Sequence, residues 1–179
     1  GDSKIVIVKI NPDIYNLNLF SGDQYNHGNL TAKDWSERYN LSIVINAGMF
    51  QEDYSSNVGY MKQFDYMNNA YINAYQSVAA FNPKDSTIDK FRIFDIEKLN
   101  GILQKDSIRD IINNYNSVVQ NLRLIKRTKD NRWPQQKKKW SEVALGEDKN
   151  GNILLIFCRS PYSMHDLNQM LINLPIDIE

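Results

Sequence analysis

The chain has 179 residues, of which 42% are hydrophobic and 23% are charged. This length and composition predict one sizeable core and a single domain over residues 1–179. The formal net charge is zero, which excludes a whole-molecule field that attracts nucleic acid or an anionic membrane. No apolar run in the sequence is long enough to span a membrane. Cys158 is the only cysteine, so an internal disulfide is excluded.

The first half of the chain is predicted to consist mainly of β-strands. Residues 4–10 and 14–20 carry alternating apolar positions on either side of an Asn-Pro-Asp turn, which predicts a hairpin. Thr31 is predicted to cap a short helix over 31–39, with Trp35 on its apolar side. Apolar and β-branched runs predict further strands over 41–45, 58–64, 71–81 and 91–94.

The second half is predicted to mix helices with strands. Apolar residues spaced by three and four over 96–115 predict a helix or a pair of helices. A strand over 117–121 follows, and strands over 141–145 and 153–158 are joined by a loop that contains an Asn-Gly turn. Ser163 is predicted to cap a last helix over 164–173. The predicted fold is α+β, with a mixed, mainly antiparallel sheet and about three packed helices.

The most informative stretch is the apolar run 41–45 and the residues that follow it. A strand that ends at Asn46 would hold this amide on a rigid base, directed into any cleft beyond the strand. Gly48 allows a sharp turn at little conformational cost. A second interpretation is a plain strand and turn, with Met49 and Phe50 packed back into the core.

The segment 126–139 is the most basic part of the chain, with seven lysines and arginines. Trp133 lies within it and Trp140 follows it. Cations interleaved with aromatic side chains bind nucleic acid or hold one phosphate group, whereas most basic loops are simply solvated. No cluster with metal-ligand spacing and no Gly-rich nucleotide loop is present, so no metal and no cofactor are expected.

The order of a Trp-bearing helix, an apolar strand, Asn46-Ala47-Gly48-Met49-Phe50 and Gly59-Tyr60 resembles the phosphodiester glycosidase family. The resemblance implies a hydrolase that cleaves a sugar 1-phosphodiester. The alternative is a non-catalytic secreted module that binds a glycan or a sugar phosphate. The resemblance also implies a small sugar phosphate or glycan as partner, no nucleic acid, and a secreted, cell-surface or periplasmic location.

The resemblance further implies roles for individual residues. Asn46 and Gln120, which matches the Gln form of a family motif, are the expected catalytic residues. They would bind sugar hydroxyls or orient water, and we expect them to face one open cleft. Substrate binding is implied for Gly48, Phe50, Gly59, Arg132 and Lys139. On its own residues, Gln120 is equally well explained as a hydrogen-bonded amide at a strand end.

The chain departs from the family pattern at two places. Family members usually carry an Arg early in the strand predicted over 141–145, where this chain has Trp140, Ser141 and Glu142. We expect Arg132 or Lys139 to supply the phosphate contact instead. The family's last strand, with Leu-Asp-Gly-Gly, is missing from this sequence. We therefore expect a domain without its C-terminal strand, and both the hydrolase and the binding module stay open.

Overall fold

The computed structural model describes residues 5–96, 98–99, 102–103, 105–126, 128–176 and 178. Its elements alternate between strands, which dominate, and a few helices. In chain order they are β1 (Ile5–Ile10), a 3-10 turn (Asp23–Tyr25), α1 (Ala32–Tyr39), β2 (Met61–Gln63), β3 (Tyr66–Asn69), β4 (Ser77–Pro83), β5 (Phe91–Asp95), β6 (Lys98–Leu99), β7 (Ile102–Leu103), α2 (Lys105–Asn114), β8 (Tyr115–Asn121), β9 (Trp140–Glu147), β10 (Ile153–Tyr162) and α3 (Met164–Ile172).

Two antiparallel sheets contain most of these strands. The larger sheet has the order β3-β2-β8-β4-β5, and the smaller one has the order β1-β10-β9. In the larger sheet Val119 of β8 pairs with Met61 on one side and Ala79 on the other. β8 is buried on both faces, which explains why its side chains are almost continuously buried.

The two sheets pack face to face, and each outer face is covered by a helix. Val119 and Phe81 from the larger sheet share one core with Ile153 and Leu155 from the smaller sheet. A second core lies between α2 and the larger sheet, and a third lies between α3 and the smaller sheet. This layered arrangement confirms the α+β prediction.

The predicted helix starts are confirmed for α1 and α3. The Thr31 side chain accepts a hydrogen bond from the Asp34 amide, and the Asp34 carboxylate accepts one from the Thr31 amide. The Ser163 hydroxyl accepts from the Asp166 amide at 3.1 Å. In both cases a short polar side chain satisfies an amide that has no partner within its helix.

Two predicted strands, over 14–20 and 41–45, are wrong. The first begins in a turn, because the Ile14 amide donates to the Asn11 carbonyl, and Ile14 is 73% exposed. In the second, Ile45 packs against the core while Ile43 stays 45% exposed. Both segments cover the core between the sheets with a few side chains, and their backbones join no sheet ladder.

Other predicted bounds shift. The predicted helix over 96–115 forms only as α2, and its first part contains the β6–β7 hairpin; residues 97, 100, 101 and 104 lie outside the described residues. The strands predicted over 58–64 and 71–81 shorten to β2 and β4, and β3 forms between them, where no strand was predicted. β5, β8, β9 and β10 are confirmed. Across the described ranges, every helix is too short or too polar to cross a membrane.

Candidate functional site

A cleft of about 610 Å³ opens beside β9 and is the candidate functional site. Three stretches form its walls: residues 46–49, residues 121–125 after β8, and residues 140–146 of β9. Core side chains from both sheets and α3 line the deeper part. Its polar and aromatic lining includes Asn46, Asn121, Arg123, Trp133, Trp140 and Glu142. An apolar cavity with a few convergent polar groups is typical of small-ligand sites.

Asn46 lines this cleft and is exposed. Its neighbours Ile45 and Ala47 pack against the core between the sheets, so they fix the backbone that carries the amide. The Asn46 side chain forms no hydrogen bond with any other residue in the described part of the chain. Its donor and acceptor atoms are therefore available to a ligand.

Gly48 also lines the cleft, and the neighbouring Asn57 explains why this residue is a glycine. A Cβ at position 48 would collide with Oδ1 of Asn57. Asn57 is only 4% exposed and its Nδ2 donates to the Gly59 carbonyl at 3.0 Å. Because Asn57 is held in place, the backbone at position 48 can lie this close to it only if residue 48 is a glycine.

Gln120 is fully buried and uses its whole hydrogen-bonding capacity inside the protein. Its Oε1 accepts from the amides of Tyr60 at 3.3 Å and Asn73 at 3.1 Å. Its Nε2 donates to the carbonyls of Asn73 at 3.1 Å and Tyr75 at 2.8 Å. The side chain therefore joins β8 to two backbone segments, at Tyr60 and at residues 73–75, and has no polar atom left for a ligand.

The expectation that Asn46 and Gln120 face one cleft is therefore wrong. Successive side chains of a strand point to opposite faces, and on β8 it is Val119 and Asn121 that line the cleft. Asn121 is the second amide of the site. Its Nδ2 is 3.4 Å from the Ala47 carbonyl, which links two walls of the cleft.

Arg123 is a site residue that the sequence analysis did not single out. It lines the cleft with a side chain that is 4% exposed, and its Nη2 lies 3.4 Å from Oδ2 of Asp95. Its carbonyl accepts from Nε1 of Trp133 at 3.3 Å. A buried arginine is uncommon unless paired. The signal in the sequence is a single cation within an otherwise apolar run, Leu122-Arg123-Leu124-Ile125.

Glu142 is the carboxylate of the cleft. Burial raises the pKa of this carboxyl above its ordinary value. Across the smaller sheet it pairs with Cys158, whose thiol pKa is also raised, mainly by burial and in part by the Glu142 charge. A carboxyl with a raised pKa in a cleft is a candidate proton acceptor or donor. Glu142 belongs to the stretch that holds an Arg in the family.

The other predicted site residues lie outside the cleft lining. Phe50 is 53% exposed and packs against the ring of Tyr54, with 5.7 Å between centroids. Gly59 is buried, and a Cβ there would meet Nδ2 of Asn73 at 3.0 Å. Arg132 donates to the Gln76 side chain, and Lys139 is exposed. Their predicted contacts with substrate gain no support from these positions and stay predictions.

The described residues contain no group of three or more His, Cys, Asp and Glu side chains that could hold a metal ion. His27 instead contacts Tyr39, with Nε2 2.9 Å from the hydroxyl oxygen, and lies beside Arg38. It belongs to a small aromatic cluster that also contains Phe20 and Trp35. This cluster fixes α1 to the loop before it.

Fold and site together define the chain as an α+β protein with two packed antiparallel sheets and, beside an edge strand, a mainly apolar cleft with a few polar groups. A family model described as phosphodiester glycosidase matches residues 39–176. The chain therefore belongs to the phosphodiester glycosidase family. No curated protein matches the sequence.

A solved structure supports the same fold. The catalytic domain of zebrafish N-acetylglucosamine-1-phosphodiester alpha-N-acetylglucosaminidase, auto-inhibited by pro-peptide, is similar with a TM-score of 0.63 and 12% sequence identity. The similarity covers 98% of this chain and 58% of the zebrafish chain. At this identity the likeness concerns the fold. This chain spans less than two thirds of the length of the zebrafish protein.

Proposed function

We propose that this chain is a hydrolase that cleaves a sugar 1-phosphodiester. The observation that carries the proposal is that Asn46, Arg123 and Glu142 line one cleft in a member of this family. The zebrafish relative is named for an N-acetylglucosamine 1-phosphodiester, which suggests this sugar as the first substrate to test. An extracellular, surface or periplasmic location belongs to the proposal and is supported by the family alone.

Each of these side chains has a proposed task. The Arg123 guanidinium, which offers several N–H donors in a fixed plane, binds the phosphodiester oxygens. Asn46 and Asn121 bind sugar hydroxyls, and the side chain of Trp133 provides apolar surface for the sugar ring. Gln120 has no task in the reaction, because all its hydrogen bonds hold the backbone behind β8.

Glu142 serves as the general base in this proposal. Water attacks the anomeric carbon, its proton passes to the Glu142 carboxylate, and the bond from that carbon to the phosphate oxygen breaks. The products are the free sugar and a phosphate monoester, whose oxygen keeps the bonding electrons. A phosphate is a good leaving group, so the orientation of water matters more than protonation of the leaving oxygen. The raised pKa makes the carboxylate a stronger base.

A binding module without turnover is the second candidate. The presence of Glu142 in the stretch where the family usually has an Arg favours it, because a negative charge replaces a positive one beside a phosphate. In that case the cleft would hold a sugar phosphate and leave it intact.

The two candidates are separated by incubating the protein with the methyl phosphodiester of N-acetylglucosamine 1-phosphate. Release of N-acetylglucosamine is measured together with binding. If Glu142 is the base, Glu142→Gln lowers kcat by roughly 10²- to 10⁴-fold with little change in binding. The matched control is Glu37→Gln, at an exposed glutamate of α1. Binding without release supports the module, and neither binding nor release contradicts both.

A further inference from the structure

Lys126–Lys139, here called the basic segment, concentrates positive charge in a chain whose formal net charge is zero. Arg127 lies outside the described residues. The described cations of the segment are Lys126, Lys129, Arg132, Lys137, Lys138 and Lys139, and all except Lys126 are exposed. The one acid within the segment, Asp130, accepts a hydrogen bond from the Thr128 hydroxyl at 2.7 Å.

The basic segment is fastened to the wall of the cleft. The Arg132 amide donates to the Leu124 carbonyl at 3.1 Å, and Trp133 Nε1 donates to the Arg123 carbonyl at 3.3 Å. Asn131 donates to the His165 carbonyl at 2.9 Å, which joins the segment to α3. Trp133 also lines the cleft, so the cations lie along a stretch that leads directly into it.

Much of this charge is available to a partner. Lys137 and Lys138 form no ion pair with another residue of the described ranges, and Lys138 Nζ instead lies 5.3 Å from the ring of Trp140. Lys139 contributes to the lowered pKa of Asp166, after larger contributions from hydrogen bonds of Ser163 and His165.

We propose that the basic segment binds an extended polyanion, and that the substrate of the cleft is a linear polymer with repeated phosphodiester links, each joined to the anomeric carbon of a sugar. The statement about substrate rests on the proposed hydrolase function. One phosphodiester needs little more than Arg123 inside the cleft. The cations of the basic segment, which lie outside the cleft, can pair with further phosphates of the same polymer. Binding of the polymer to these cations releases counterions.

A nucleic acid fits this surface less well than a glycan polymer. Binding of single strands combines cations with aromatic faces on which successive bases stack. Here Lys138 lies over the ring of Trp140, and Trp133 uses its indole N–H within the cleft wall. A polymer of phosphate and aliphatic units needs the charges and no stacking surface.

The test measures binding of poly(glycerol phosphate) to the full chain at several salt concentrations. The variant carries Lys137→Ala, Lys138→Ala and Lys139→Ala together. We expect at least a tenfold loss of affinity at low salt and a decrease of about three in the slope of log affinity against log salt, or about one for each lysine. The matched control replaces Lys33, Lys84 and Lys90, three exposed lysines elsewhere, by alanine and keeps the affinity and slope of the wild type.

Three results would overturn the proposal: no binding of poly(glycerol phosphate) by the wild type at low salt, an equal loss in the control variant, or equally tight binding of single-stranded DNA of the same charge. Hydrolysis of the small sugar phosphodiester is measured on the same preparation. Polymer binding without hydrolysis supports the binding surface and contradicts the hydrolase. Hydrolysis without polymer binding contradicts the surface and supports the hydrolase.

Discussion

Individual amide side chains in this protein have two distinct uses. Asn46 is exposed in the cleft and has no hydrogen bond within the described residues. Gln120 is buried with both acceptor and both donor positions filled. Asn57, which is also buried, donates to the Gly59 carbonyl. The buried amides fix the loops around the site, and the exposed amide is left to meet a ligand.

At Gly48, substitution by alanine should destabilise the protein. The new Cβ would collide with Oδ1 of Asn57, whose Nδ2 is already bonded to Gly59. Overpacking of this kind costs about 1–3 kcal/mol. Gly28→Ala is the matched control, since nothing lies within 4 Å of a Cβ built there. Urea denaturation measures both, and equal stability of the two variants would contradict the packing argument.

For Gln120, replacement by alanine should lower stability and leave the activity of each folded molecule unchanged. It removes the partners of the Tyr60 and Asn73 amides and of two carbonyls. Because unpaired buried polar groups cost about 1–3 kcal/mol each, we expect a loss of about 3 kcal/mol in unfolding free energy. Activity is normalised to the folded fraction, with the exposed Gln135→Ala as control. A stable but inactive variant would restore the catalytic role.

At the scale of elements, the β9–β10 hairpin depends on the carboxylate of Asp148. This side chain is 2% exposed, accepts from the Asn150 and Asn152 amides at 2.9 Å each, and lies 2.5 Å from Lys9 Nζ of β1. Gly151 adopts a φ of +75°, which the tight loop requires. One carboxylate thus shapes the loop and connects it to the neighbouring strand.

The carboxylate of Asp148 should make the free energy of unfolding decrease at acidic pH. Burial alone would raise its pKa, but the bonds from Lys9 and Asn152 outweigh burial and lower it below the usual 3.8. Because the pKa of this carboxyl is lower in the folded than in the unfolded protein, the ionised carboxylate stabilises the fold at pH values above the unfolded-state pKa. This contribution is lost as the pH falls below about 4. Asp148→Asn should therefore show a smaller loss of unfolding free energy between pH 7 and pH 3 than the wild type.

The exposed Asp65→Asn serves as the control for this acid dependence and should follow the wild-type curve. Unfolding is measured by chemical denaturation at each pH. If Asp148→Asn and the wild type lose the same free energy between pH 7 and pH 3, Asp148 does not carry the acid dependence.

At the scale of the whole molecule, the two sheets are joined by apolar packing and by one buried carboxylate. Glu147 of β9 is 1% exposed, and its Oε2 accepts from the Ile93 amide of β5 at 2.7 Å. Its Oε1 lies 3.2 Å from Nε of Arg92. These contacts fix the position of the smaller sheet on the larger one, and with it the cleft beside β9.

Removal of this carboxylate should loosen the junction of the sheets. Hydrogen bonds to charged groups contribute about 1.5–3 kcal/mol each, so Glu147→Ala should lower the unfolding free energy by about 3 kcal/mol. Glu37→Ala, at an exposed position, should change it little. Native-state hydrogen exchange of the Ile93 amide gives a local readout and should accelerate. Unchanged protection of that amide would show that Glu147 does not join the sheets.

Local sequence patterns predicted several parts of this fold correctly. The apolar run Ile153–Cys158 and the caps at Thr31 and Ser163 depend on neighbours within a few residues. The spacing of apolar residues is similar in a strand and in an irregular segment that only covers the core. For this reason residues 41–45 and 14–20 were expected to form strands. Strand pairing requires a distant partner, and periodicity carries no information about that partner.

The sequence by itself determined the family and the α+β class, because these depend on motif order and on local patterns. The tertiary structure decided that Gln120 is consumed by hydrogen bonds and that Asn121, Arg123 and Glu142 meet Asn46 in a cleft. Those residues come together through the packing of two sheets. Along β8, side-chain alternation directs Asn121 towards the cleft and Gln120 away from it, and this alternation depends on a pairing register that no local pattern specifies.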